Sequence, residues 1–145
     1  MTIKFISKNA PADRRPMKLD PTTVSSINIL PGQVLKENGS LYAVKADGAS
    51  VVGGPVWAFT ASSRPDVQSA KSLTVVDGPF VADIDTAGYV GSPALDAALK
   101  VGTAGDIGKL AVESPVDTVA KLQGVVAYCT RTADADGFIR VKVLR

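Results

Sequence analysis

The 145-residue chain has no histidine and a single cysteine, Cys129. Without histidine it lacks the commonest general base, the commonest metal ligand and the usual partner of a catalytic serine or cysteine. One cysteine forms neither an intrachain disulfide nor a thiolate metal site. Set in the apolar run Val125-Val126-Ala127-Tyr128-Cys129-Thr130, Cys129 reads as a small buried hydrophobe. Aromatic residues make up 6 % of the chain, with one tryptophan, Trp57, so a stacking platform for sugars or bases is thinly supplied. No apolar run approaches the roughly 18 residues of a membrane span, and no signal-peptide core precedes the first polar segment. The expectation is a protein that is not an enzyme, with no cofactor, no metal, no membrane and no nucleic acid among its partners.

What the chain does have is punctuation. Thirteen glycines and nine prolines stand among many valines, threonines and serines, a mixture that suits short strands joined by tight turns. Apolar stretches alternate with turn dipeptides: Asn38-Gly39 between Gln33-Val34-Leu35-Lys36 and Leu41-Tyr42-Ala43-Val44, Asp77-Gly78 between residues 72–76 and 79–84, and Asp136-Gly137 ahead of Phe138. Asn-Gly and Asp-Gly tolerate the positive φ of hairpin turns. Along the last segment Phe138, Arg140 and Lys142 should share one face and Ile139, Val141 and Val143 the other. Trp57, inside Val56-Trp57-Ala58-Phe59, reads as a core or interface anchor. The one helix candidate is residues 92–99, with Ser92 as N-cap and Pro93 at the first helical position; residues 116–122 are ambiguous. The expected fold is all-β, a small barrel or sandwich built from successive hairpins, with at most one short helix.

Three segments invite a chemical reading and fall short of it. Residues 102–109, Gly-Thr-Ala-Gly-Asp-Ile-Gly-Lys, suggest a phosphate loop, but Gly102 stands one residue too early, and Leu110 follows Lys109 where a Ser or Thr hydroxyl is needed. A glycine-rich hairpin over residues 99–112 is the plainer reading, and it echoes the grammar of residues 32–44. Asp83 and Asp85 point to one face and could hold a divalent ion, yet no third acid stands nearby, so a solvated strand face is expected. Asp134-Ala135-Asp136-Gly137 resembles a fragment of a calcium loop without its downstream bidentate glutamate and is expected to be a turn.

Charge is unevenly placed. Net charge is +2, but residues 1–20 carry five basic against two acidic side chains, leaving the remainder at −1. Pro11, Pro16 and Pro21 recur through this segment and oppose helix or central strand. Residues 1–21 therefore read as an extended, basic, proline-spaced arm ahead of a single β-rich domain over residues 22–145, with one short strand conceivable near Ile3 and Phe5. Its candidate partner-binding residues are Ile3, Lys4, Phe5, Ile6, Lys8, Arg14, Arg15, Met17 and Lys18.

The order of segments resembles a known family. Gly78-Pro79-Phe80-Val81-Ala82-Asp83, then Asp85-Thr86-Ala87-Gly88-Tyr89-Val90, then the glycine hairpin at residues 99–112, Gly124-Val125-Val126, and a closing Asp136-Gly137-Phe138-Ile139-Arg140-Val141 together resemble the small β-rich head decoration, or cement, proteins of tailed bacteriophages. The resemblance covers about residues 30–144. It implies a structural protein made in the bacterial cytoplasm that binds the outer surface of an assembled capsid. There an oligomer, a trimer before a dimer, bridges neighbouring copies of the major capsid protein. In that setting the arm would lie along adjacent subunits and order on contact. A carbohydrate- or receptor-binding β-module of a virion surface is the alternative.

Overall fold

The structure, a computed structural model, describes residues 4–8, 13–18, 29–30, 32–37, 43–49, 56–58, 72–77 and 82–144. Eleven strands in these segments form two antiparallel sheets. They are β1 (Lys4–Lys8), β2 (Asp13–Lys18), β3 (Val34–Glu37), β4 (Ala43–Lys45), β5 (Val56–Ala58), β6 (Ser72–Asp77), β7 (Ala82–Thr86), β8 (Ala98–Val101), β9 (Leu110–Val112), β10 (Val125–Arg131) and β11 (Ile139–Val143). The larger sheet runs β1-β7-β11-β10-β8-β9 and the smaller β2-β6-β5-β3-β4. The all-β expectation holds: among the described residues the one short helix is α1 (Val119–Gly124), and residues 104–106 make a single 3₁₀ turn. Among the described residues no ladder closes the two sheets into a barrel, and no helix is long and apolar enough to cross a membrane.

The sheets share one core. Val34, Trp57 and Val76 from the smaller sheet pack with Ile84, Leu99, Leu110, Cys129, Ile139 and Val141 from the larger. The alternation read from the last segment is observed: Ile139, Val141 and Val143 are buried while Arg140 and Lys142 face outward. Trp57 is fully buried, as an anchor of the core.

Two junctions hold the sheets together. At one, the hairpin of β8 and β9 pairs Leu99 with Val112 and Val101 with Leu110, and its loop reaches the smaller sheet. Val34 donates to the Gly108 carbonyl at 2.8 Å, Gly108 to Ala46 at 2.7 Å, and Gly48 to Gly102 at 2.9 Å. The backbones come so close that a Cβ on Gly48 would lie 2.0 Å from the Val101 carbonyl oxygen. At the other junction, β1 pairs with β7 and β2 with β6. Lys8 stands opposite Ala82 and Asp13 opposite Asp77, so four residues separate the paired stretches on each chain and the register stays in phase across the break. The N-terminal segment thus supplies one ladder to each sheet, β1 with β7 and β2 with β6, in a common register.

This pairing corrects the reading of residues 1–21 as an arm outside the β-domain. Residues 4–8 are an edge strand of the larger sheet and residues 13–18 an edge strand of the smaller. Pro16 does not prevent pairing because β2 is an edge strand, where a missing amide donor is tolerated. A second correction concerns Asp77-Gly78. β6 and β7 do not pair with each other; they belong to different sheets, where β6 lies between β2 and β5 and β7 between β1 and β11. The Asn38-Gly39 dipeptide does join a hairpin, β3 with β4, although the turn itself lies outside the described residues.

The helix also moves. Residues 92–97 are not helical: Asp96 adopts φ 65° and its amide donates to the Cys129 carbonyl at 2.8 Å, which breaks the i→i−4 pattern, and Ala98 already belongs to β8. The ambiguous segment supplies α1 instead. Thr118 is its N-cap, with Oγ1 accepting from the Lys121 amide at 3.2 Å, and Lys121 pairs with Asp117 at 2.9 Å across one turn.

Candidate docking surface

The basic residues singled out in the sequence fall on the two N-terminal strands. Lys4 and Lys8 lie on β1, and Arg14, Arg15 and Lys18 on β2, against Asp13 alone. Because each strand is the border of its sheet, five basic positions lie on the sheet borders, two on the larger sheet and three on the smaller. An edge strand also carries main-chain groups without a second neighbour, which suits contact with an extended partner segment. On β2, Pro16 is exposed and lacks a donor amide, so strand addition is discouraged there and side-chain contact is left. Lys18 is exposed, whereas Met17 is 3 % exposed. Met17 is therefore covered within its own chain. Phe5 and Ile6 lie on β1; Ile3 is outside the described residues.

Next to β1 the outer face of the larger sheet carries a charge ladder. Asp85 stands opposite Arg140 and Asp83 opposite Lys142, and the cross-strand pairs close at 2.9 Å (Arg140 Nε to Asp85 Oδ1) and 3.2 Å (Lys142 Nζ to Asp83 Oδ1). Arg131 reaches Asp85 at 3.6 Å and Asp134 at 3.0 Å. The hydrogen bond it donates to Asp85 is the main reason the Arg140 guanidinium holds its proton even more firmly than usual. Asp83 and Asp85 are thus neutralised by cations directly across the ladder, a structural use of paired carboxylates. In sheet register Lys4 lies opposite Asp85 and Ser7 opposite Asp83.

The other two chemical readings resolve in the same way. The phosphate-loop segment spends its amides internally: Gly102 donates to Lys109, Asp106 to Thr103, Lys109 to Asp106 and Gly108 to Ala46. Four of the eight amides of residues 102–109 are thus spent on carbonyls, and the segment runs into strand β9 rather than opening a helix whose amides could cradle an anion. Gly108, at φ 77°, is covered by the Lys45 side chain. Burial, and then the nearby Lys109, push the Lys45 ammonium below the ordinary lysine range. In the Asp134 turn the carboxylate accepts from the amides of Asp136 at 2.9 Å and Phe138 at 3.0 Å. These bonds, the Phe138 amide first, hold its carboxyl below the usual range. The segment closes the hairpin of β10 and β11, as expected of a turn.

A second surface was not visible in the sequence. Residues 92–98 and 112–116 border an open cleft of about 620 Å³, with Tyr128 at its floor. Leu95 is 61 % exposed there, and Val112 and Val116 are also exposed. Three residues beyond Val116, α1 presents Val119 at 71 % and Leu122 at 55 % exposure, and no residue of α1 is buried. Of the seven exposed large hydrophobics among the described residues, three line this cleft and two lie on α1. The sequence carried a faint signal in the i, i+3 spacing of Val119 and Leu122, but not the cleft beside them, which depends on Asp96 breaking the expected helix.

Comparison with protein-family models, with curated proteins and with solved structures returned no match.

Proposed function

We propose that the protein is a structural docking module of the head-decoration kind: it binds the outer surface of an assembled phage capsid as a homo-oligomer, bridges neighbouring copies of the major capsid protein, and performs no chemistry. One observation carries the reading. The positive excess of the chain is concentrated on two strands, each the border of one of the two sheets. Such borders meet an acidic protein surface with many weak contacts of about 0.2–1 kcal/mol each, and repetition on a symmetric shell multiplies them. The ladder beside β1 is internally neutral and leaves the two border strands as the charged feature. The alternative, a carbohydrate- or receptor-binding module, loses its best candidate, because Trp57 is buried in the core.

The test is co-sedimentation with intact, purified capsids. Reversing Arg14, Arg15 and Lys18 to glutamate should weaken binding roughly ten- to hundredfold while leaving the far-ultraviolet circular dichroism unchanged, and binding of the original chain should fall as salt is raised. Undiminished, salt-insensitive binding by the triple variant would remove the border strands from the proposal.

A further inference from the structure

We propose that Pro16 is an assembly guard: it leaves no amide donor at the middle of the open side of β2, and so prevents the smaller sheets of two copies from joining border to border. The inference goes beyond the reading above and does not depend on what the border strands bind.

Pro16 stands opposite Thr74 within six consecutive pairs between β2 and β6, with no register shift. A proline has no amide hydrogen, so in an unbroken ladder it takes a position whose amide would face away from the neighbouring strand. Bonded and non-bonded pairs alternate along an antiparallel ladder. Asp13, Arg15 and Met17 therefore exchange bonds with β6, while Arg14, Pro16 and Lys18 turn their main-chain groups to the open side. Pro16 is the middle one of these three, and it is exposed. A strand arriving at this border loses its central donor. A second copy running antiparallel about Pro16 would also set Arg14 of one copy against Lys18 of the other, and like charges directly opposite are destabilising.

The other borders among the described residues are blunted by different means. The ladder of β1 shifts register between Phe5 and Ser7. Strands β4 and β9 have three residues each, and Leu110 of β9 already donates to the Gly88 carbonyl and accepts from the Val90 amide, both at 2.8 Å. Short or bulged borders resist strand addition by themselves. Strand β2 is the longest border and is paired without interruption, so it is the one where a missing donor decides whether copies can join.

The experiment is sedimentation velocity of the full chain in about 0.5 M salt, where repulsion between copies is screened. Pro16→Val restores the amide and should raise the weight-average mass to at least about twice that of the original chain under the same conditions, with circular dichroism unchanged. Moving the proline by two, R14P with P16V, puts the missing donor back on the open side and should return the original mass. Moving it by one, R15P with P16V, removes a donor that serves β6 and should melt several degrees below R14P with P16V. A P16V chain that keeps the original mass overturns the guard. Equal association of P16V and of R14P with P16V assigns the effect to the valine side chain and overturns it as well. Association accompanied by loss of the β signal would come from unfolding and rejects it, and equal melting of the two double variants refutes the alternation on which it rests.

Discussion

At the residue scale, glycines 32 and 137 separate two costs that are usually confounded. Gly32 has φ 83° and Gly137 φ 81°, nearly the same left-handed backbone. Their surroundings differ. A Cβ on Gly32 would lie 1.8 Å from Thr86 Oγ1, while one on Gly137 would meet nothing within 4 Å. Replacing either by alanine incurs the left-handed penalty of about 1 kcal/mol. Only Gly32→Ala must also displace buried Thr86, whose hydroxyl accepts from the Gly88 amide at 3.0 Å, and overpacking of this kind costs about 1–3 kcal/mol more. Urea denaturation should therefore show Gly137→Ala lowering stability by about 1 kcal/mol and Gly32→Ala by roughly 2–4. Equal losses would mean that Thr86 yields freely and that the approach of residues 32 and 86 is not tight. Cys129 belongs to the same scale: its thiol donates to the Arg131 carbonyl at 3.3 Å, and burial first of all pushes it above the ordinary thiol range, so it stays protonated and inert in the folded chain.

At the element scale, what could be read in advance divides by the range of the interaction. The β10–β11 hairpin was legible because its turn chemistry is local: Asp134 and Gly137 fix the reversal, and alternation fixes which side of β11 is buried. The glycine hairpin at residues 99–112 was legible as a hairpin for the same reason. Its role was not, because Gly48 and Gly108 are needed for bonds to a sheet far away in sequence. The N-terminal segment was misread because its prolines and charges describe what the segment cannot be alone, whereas its partner strands lie some sixty residues onward. Register makes the consequence specific. Deleting residues 1–20 strips a border strand from each sheet at once and exposes both β6 and β7, the strands that carry Val75, Val76 and Ile84 into the core. The truncated chain should lose its cooperative melt in circular dichroism, or aggregate through the uncovered edges. A truncated chain that melted like the full one would show that these two strands contribute little to the fold, and would return these residues to the status of an appended arm.

For the whole molecule, the question is whether two sheets joined at two junctions fold as one unit. The chain supplies its own reporters. Its sole tryptophan, Trp57, lies on β5 in the smaller sheet, and its sole cysteine, Cys129, on β10 in the larger; both are fully buried. Tryptophan emission therefore follows the smaller sheet and thiol reactivity the larger. Val34 and Val76 pack in the same cluster as Ile84 and Leu99, so loosening one sheet uncovers the apolar face of the other, and the glycine-loop junction adds backbone bonds that cross between them. This coupling predicts all-or-none behaviour: along a urea series at equilibrium, the tryptophan signal and the fraction of Cys129 open to a brief pulse of thiol reagent should share one midpoint. The glycine-loop junction can then be tested by the same pair of signals. A Gly48→Ala substitution drives a Cβ against the Val101 carbonyl and should lower both midpoints together, because the sheets still share their core. Midpoints that part company in the original chain would mean that the core is divided between the sheets and that the N-terminal segment and the glycine loop only tether two independent halves.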